Sequence, residues 1–239
     1  MLSKSQIKLI TRLKQKKHRI LDGFFIAEGI KVINELLESS LELHHLFTTQ
    51  IFKSHTKNET IITEVELKKI SFLTTPNKAL AIFKIPSPKA IDAKGLIVAL
   101  DSVRDPGNLG TIIRLCDWFG IKELVCSKET VDCYNPKVIQ ATMGSITRVN
   151  ISYLDLHTFL AEAKTPIFGA FMDGKNIYKS ELPKEGIIIM GNEANGISEA
   201  LEKQVKKRIA IPRFGDLQAT ESLNVATATA ILLSEFKRG

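Results

Sequence analysis

A chain of 239 residues, 44% hydrophobic and 25% charged, has the composition of a soluble globular protein, with length for one large domain or two ordinary ones. No apolar run approaches a membrane span, and the opening MLSKSQIKLITRLKQKKHR has no signal-peptide hydrophobic region. The net charge of +7 lies entirely in residues 1–95, with 16 Lys+Arg against 9 Asp+Glu, while residues 96–239 balance at 17 each.

In chain order, the pattern predicts a basic helix over residues 3–20, a strand at 24–27, a helix at 30–37 and a strand at 43–48. A short helix at 65–70 and a strand at 79–85 close this part, which reads as a small α/β module. The stretch IPSPKAIDAKG (residues 85–95) holds two prolines and sits where the charge balance changes, so it reads as a linker. The domains are therefore placed at 1–87 and 96–239, with 88–95 between them. Beyond it, GLIVAL is a strand, 110–119 a helix, KELVCS a strand, 136–143 a helix and ITRVNIS a strand. A helix at 157–163 follows, then strands PIFGAFM and GIIIM, a helix at 198–205, the strand KRIAIP and a last helix over 223–236. This alternation predicts an α/β fold with a mostly parallel sheet covered by helices on both faces.

The first twenty residues hold seven basic side chains and no acidic one. A solvated lysine-rich helix has this composition, and so does a surface that gathers a polyanion by phosphate binding. The charge asymmetry between the halves keeps both readings open.

Three polar clusters follow buried-strand runs in the second half: NLGTIIR (108–114) after GLIVAL, GNEANGIS (191–198) after IIIM, and ESLNVATATA (221–230) after RIAIP. Ligands of open α/β sheets bind at loops leaving the carboxyl ends of strands. In the first cluster, Asp105-Pro106-Gly107-Asn108 is a turn, and Gly110 and Arg114 fall one helical turn apart. Arginine suits phosphate because its planar fork bonds bidentately. The same residues also describe a surface helix capped by Asn108. In the second, Gly191, Asn192, Glu193, Asn195 and Gly196 are poor core material, so they form a site, a hydrogen-bond network or a tight turn. In the third, Ser222 and Asn224 open an apolar helix rich in small residues, which an ordinary capped core helix also does.

GxGxxG, GxxxxGK[ST] and GxSxG are absent, which removes support for a dinucleotide site, a P-loop or a hydrolase elbow. The three cysteines (Cys116, Cys126, Cys133) lack CxxC spacing, and the five histidines form no HxxxH or HExxH. Reduced thiols in a cytoplasmic protein and no metal site are expected.

NLGTIIR after LDSVRDPG, GNEANGIS after IIIM, and IP…SLN before the final helix, in this order, resemble the motif set of the SpoU (TrmH-type) RNA ribose methyltransferases of the SPOUT superfamily. The resemblance covers residues 96–236. More loosely, KHR…GFFIAEGIKVINELL resembles the L30e-like substrate-binding domain found ahead of such catalytic domains. The resemblance implies a S-adenosyl-L-methionine-dependent enzyme that methylates a ribose 2′-hydroxyl of ribosomal or transfer RNA, with a C-terminal trefoil knot and a homodimeric assembly. Carried over onto this chain, the catalytic motif residues are Asn108, Arg114, Glu193, Ser222 and Asn224. The best matches for cofactor contacts are Gly191, Ile211 and Leu223, with Gly169 added on its position at an earlier strand. One departure is that residues 216–221 lengthen the spacing between Gly215 and Ser222. Two other readings remain: an RNA-binding or ribosome-assembly factor with the same fold and no catalysis, and a Rossmann-like enzyme acting on a small molecule.

Overall fold

The computed structural model describes residues 2–50, 58–215 and 222–238. The chain divides into two compact units, Met1–Pro88 with Asp132–Thr147, and Lys89–Val131 with Arg148–Gly239.

The first unit begins with α1 (Lys4–Arg12), closed at its start by a capping box in which the Ser3 hydroxyl accepts from Gln6 N and the Gln6 side chain accepts from Ser3 N. The expected single helix over 3–20 is instead two, because α2 (Lys16–Asp22) restarts after a break at residues 13–15. Arg19 accounts for the break. Its guanidinium is 2% exposed and its Nη1 donates to the carbonyl oxygens of Leu13 and Lys14, each at 2.8 Å. A continuous helix would need those acceptors for its own N–H groups. The Nε of Arg19 reaches Asp132 at 2.9 Å, so a residue from the middle of the chain completes the corner.

The rest of this unit is β1 (Phe24–Glu28), α3 (Ile30–Leu37), β2 (Leu43–Thr48), β3 (Glu59–Ile61), α4 (Glu64–Ile70) and β4 (Ala79–Lys84). The sheet order is β1-β4-β2-β3, antiparallel except for β2 beside β3. Alternate residues serve opposite faces. Phe25, Ala27, Ala79, Ala81 and Phe83 pack on α3, whereas Ile26, Leu80 and Ile82 pack on Ile10 and Leu13 and on Leu67 and Ile70 of α4. Ile139 is buried in the first of these clusters, with Tyr134, Met143 and Ile146 against it. The segment Asp132–Thr147 thus belongs by packing to the unit that precedes the linker, although its sequence position is inside the second expected domain.

This predicts a cost for removing Arg19. The Asp132 side chain is only 13% exposed, and Arg19→Ala leaves it without its cation. Stripping one partner from a buried pair costs about 3–5 kcal/mol. Urea unfolding of the variant should show a loss of that size; a change within 1 kcal/mol, on the order of a surface substitution, would contradict this role.

The second unit runs through β5 (Leu96–Leu100), α5 (Pro106–Trp118) and β6 (Glu123–Cys126), then, after the excursion that carries α6 (Pro136–Thr142), through β7 (Asn150–Tyr153) and α7 (Leu156–Ala161). It ends with β8 (Ile167–Asn176), β9 (Gly186–Met190), α8 (Glu199–Glu202), β10 (Lys207–Ala210) and α9 (Val225–Lys237). All six strands are parallel, in the order β10-β8-β9-β5-β6-β7. β5 and β9 are buried at every position because helices cover both faces. Ile97, Ala99, Ile187 and Ile189 face α7 and α8, while Phe168 of β8 meets Phe236 of α9 edge-on at 5.0 Å. The run ITRVNIS, expected as one strand, is split into a short 3₁₀ turn at Ser145–Thr147 and β7. The lengthened stretch at 216–221 lies outside the described residues.

From β5 the chain moves outward through β6 to β7, and then crosses to the other side to build β8, β9 and β10. The switch point therefore falls between β5 and β9, and their carboxyl ends open a crevice there.

Candidate active site

Two loops leave that crevice in diverging directions, residues 101–105 from β5 and 191–198 from β9. They are tied together by side chains whose burial would be costly if left unmatched. Asp101, 5% exposed at the end of β5, accepts from Ser198 N at 2.7 Å and from the Ser102 hydroxyl at 3.1 Å. Asn192 donates to Ser102 O at 2.6 Å, and its Oδ1 accepts from Ala194 N and Asn195 N, which closes the turn. Ser102 holds φ of 59°, an unfavourable region for a side-chain-bearing residue, with its N–H fixed on the Ser127 hydroxyl at 3.1 Å. Gly191 is required at the base of the loop, since a Cβ there would run into the backbone of Gly196 and Ile197.

On this frame sits a chain of polar groups from all three clusters. The Glu193 carboxylate accepts from Asn108 Nδ2 at 3.1 Å, Asp105 N at 3.2 Å and Arg104 N at 3.3 Å. Asn108 Oδ1 in turn accepts from Asn224 Nδ2 at 2.8 Å. Asn224 also caps α9, its Oδ1 accepting from Ala226 N and Thr227 N. Partial burial pushes the Glu193 carboxyl up, but the hydrogen bonds from Asn108 and from backbone N–H groups, including those of Asp105 and Arg104, outweigh it and hold it below the ordinary range. Glu193 is thus an anion already satisfied by donors, which suits it to positioning neighbours more than to taking up a proton.

Arg114 is exposed on α5 and makes no hydrogen bond or ion pair with any described residue, so its guanidinium is available to a ligand. The N-cap of α5 is Asp105, not Asn108; its Oδ1 accepts from Asn108 N at 2.8 Å, which leaves the Asn108 side chain for Glu193 and Asn224. Ser222 is exposed, with no described hydrogen bond. Leu223 is 48% exposed and its backbone bonds to no described residue, while Ile211 is half-buried just past β10. An apolar side chain beside open backbone polar groups fits an adenosyl group, whose rim pairs with the backbone and whose face needs apolar cover. Gly169 differs, because the space at its Cα is filled by Phe171 and by Val205, whose nearest methyl a Cβ would meet at 2.9 Å. Sequence reading missed Asp101, Ser102 and the N–H groups of Arg104 and Asp105; the signal was the polar run directly after the apolar GLIVAL.

Fold and site together define a parallel-sheet α/β protein whose ligand site is built from three loops at the switch point, without a glycine-rich phosphate fingerprint. The chain belongs to the SpoU rRNA Methylase family, whose profile matches residues 95–234, and the MRM3-like substrate binding domain matches residues 4–81. Among its relatives is the 23S rRNA (guanosine(2553)-2′-O)-methyltransferase of Bacillus subtilis (strain 168), 28% identical over 93% of this chain and 92% of that one. A TrmH-family structure from Porphyromonas gingivalis is 36% identical with a TM-score of 0.89, covering 100% of this chain and 99% of that chain. An AdoMet-bound rRNA methyltransferase from Sinorhizobium meliloti is 29% identical with a TM-score of 0.86, covering 100% and 97%.

Proposed function

We propose that this protein is an S-adenosyl-L-methionine-dependent RNA methyltransferase acting on a ribose 2′-hydroxyl of ribosomal or transfer RNA. The observation that carries the reading is the Glu193–Asn108–Asn224 chain, which joins the three motif loops at the switch point. Family membership and the relatives' printed activities support it. Retention of the whole polar set weighs against a silent RNA-binding factor, and a small-molecule Rossmann-type enzyme leaves the matched substrate-binding domain without a purpose.

When bound, S-adenosyl-L-methionine supplies an electrophilic methyl group on a sulfonium. Gly191, Ile211 and Leu223 are the residues proposed to hold it, with Gly169 acting through packing. A ribose hydroxyl is a poor nucleophile and must shed its proton as it attacks. Arg114 is no base, since a guanidinium carries only N–H donors and has no acceptor site for a proton. It grips a phosphate of the RNA and stabilises the developing oxyanion, while the substrate phosphate shares the departing proton. Glu193, Asn108 and Asn224 hold the loops so that the ribose and methyl group meet in line, and Ser222 lies beside them. Positioning of this kind supplies much of a transfer rate.

The same reading includes a C-terminal trefoil knot, supported by the return of the chain from the β10 edge to place Asn224 beside Asn108. It also includes a homodimer, supported by Trp118, which is 85% exposed on α5 one turn beyond Arg114 and would gain cover from a second copy. A cytoplasmic location agrees with an RNA substrate and with three buried cysteines that form no disulfide. No described helix is long and apolar enough to cross a membrane.

Metal-free cofactor binding is the direct test. Among the described residues no group of three or more His, Cys, Asp or Glu could hold a metal ion. Calorimetric titration with S-adenosyl-L-methionine should give the same affinity with and without a chelator. Binding that vanishes with chelator and returns with a divalent ion would overturn this part of the reading.

A further inference from the structure

We infer that Arg104, on the loop after β5, is a second phosphate-gripping residue of this site. It holds the phosphate next along the RNA strand from the one held by Arg114, and it binds substrate without taking part in the transfer. The inference rests on the RNA-methylation reading above and adds the residue that seats the strand.

The motive is a contrast among the eight arginines of the chain. Arg12 is paired with Asp22, Arg19 with Asp132, Arg148 with Asp117, Arg208 with Asp173 and Glu202, and Arg238 with Glu235. Arg213 has an interaction of its own. Arg104 and Arg114 remain, both exposed and with no side-chain bond to any described residue. A guanidinium gains from charge-assisted bonds to acids and carbonyls, and its five donors usually find some. The two that find none belong to the same motif, one on each side of Asn108 in sequence. They form a pair of open forks suited to a ligand with more than one anionic group.

The isolation of Arg104 is specific, because acids are close to it. Its own N–H donates to Glu193 at 3.3 Å, and Asp105 is its neighbour in the chain. Both carboxylates are engaged by other donors: Glu193 accepts from Asn108 Nδ2 and Asp105 N, and Asp105 Oδ1 accepts from Asn108 N. The loop on which Arg104 sits is fastened on each side, with Val131 N donating to Val103 O at 2.9 Å and Asn108 N held by Asp105. The backbone is therefore set before a ligand arrives, which lowers the entropy lost on binding. Charge then selects the ligand. Residues 96–239 balance at 17 basic and 17 acidic side chains, so this part of the chain has no net charge with which to gather RNA, and open cations at the site must do it. Every ribose within an RNA strand has a phosphate on each side. With Arg114 on one of them, the other falls to Arg104, whose planar fork takes phosphate bidentately. The carboxylate of S-adenosyl-L-methionine is an anion of similar appeal to a guanidinium, so the test separates the two.

Steady-state methyl transfer by the full-length protein to unmodified ribosomal and transfer RNA transcripts, across a salt series, tests this. Calorimetric titration with S-adenosyl-L-methionine runs beside it. Arg104→Gln should raise KM for RNA about tenfold and leave kcat within about twofold, as expected when a contact is made equally in the ground and transition states. The salt slope of 1/KM should fall by roughly 0.7, the share of one phosphate of a single strand. Arg104→Lys keeps the charge and loses the fork, so it should restore the slope while KM stays raised. Melting and cofactor affinity should not change, because the side chain is exposed and both variants keep the N–H that Glu193 accepts. Unaltered KM and slope in Arg104→Gln would overturn the proposal. So would a loss of cofactor affinity, which assigns the guanidinium to the cofactor carboxylate, or a fall in kcat at constant KM, which places it in the transfer itself. If the wild type methylates RNA and Arg104→Gln matches it at every salt concentration, only this inference fails. If the wild type binds the cofactor and transfers no methyl group to RNA, the parent reading fails.

Discussion

Replacing Arg114 with lysine should lower methyl transfer at least about a hundredfold while leaving S-adenosyl-L-methionine affinity nearly unchanged. The side chain is exposed and bonded to no described residue, so the fold does not depend on it. Lysine keeps the charge but loses the planar fork that grips a phosphate and stabilises the oxyanion from one fixed direction. An interaction made mainly in the transition state lowers turnover without a matching loss of binding. Single-turnover kinetics and calorimetry on wild type and Arg114→Lys make the comparison. Turnover within a few-fold of wild type would remove Arg114 from the catalytic centre. Collapse of cofactor binding would instead assign it a structural role.

Glu193→Gln should have the next largest effect. The carboxylate accepts from two backbone N–H groups and from Asn108, and an amide has only one oxygen to offer them. Its NH₂ would confront a backbone donor, the turn at Arg104 and Asp105 would shift, and the anchor that holds Asn108 in place to accept from Asn224 would weaken. We expect turnover to fall on the order of a hundredfold, with a smaller loss of cofactor affinity because Leu223 and Ile211 are untouched. The pH behaviour follows from the depressed Glu193 pKa. A carboxyl lowered in the folded state adds stability that is present above its unfolded pKa of about 4.3 and is lost as pH falls through the lower folded value. The wild-type loop should therefore hold from neutral pH down to the ordinary carboxylate range. A turnover decrease in Glu193→Gln of less than a few-fold, or wild-type activity that titrates away well above that range with Glu193 as the responsible group, would contradict its place in the site.

Much of this site was legible in the sequence because its chemistry is concentrated at strand ends. A completely buried parallel strand needs a continuous apolar run, and GLIVAL and GIIIM are such runs, so the polar residues after them had to sit at the mouth of the sheet. That logic located Asn108, Glu193 and Asn224, which the structure joins directly. It gave no partner for Arg114, and no described residue bonds to that side chain. It could not foresee Arg19. In a run of lysines an arginine reads as one more surface charge, and its acid, Asp132, lies 113 residues away. The division of the helix expected over 3–20 follows from that distant encounter, and Ile139 shares a core cluster with Phe25 in the same unit. Local periodicity carries no record of it. Asp101 was hidden for a different reason: its neighbours in sequence do not mark it out, and only its bond to Ser198 N shows that it fastens the loop after β9 to the loop after β5.

The most direct measurement is transfer of a labelled methyl group from S-adenosyl-L-methionine to ribosomal and transfer RNA, followed by alkaline hydrolysis. A 2′-O-methyl ribose has no free hydroxyl to attack the adjacent phosphate, so its linkage survives alkali. The account predicts label in RNA, recovered in alkali-resistant dinucleotides, and lost with Arg114→Lys. Label released in mononucleotides would place the methyl group on a base, and RNA that stays unlabelled beside active cofactor binding would contradict the assignment of this site to ribose methylation.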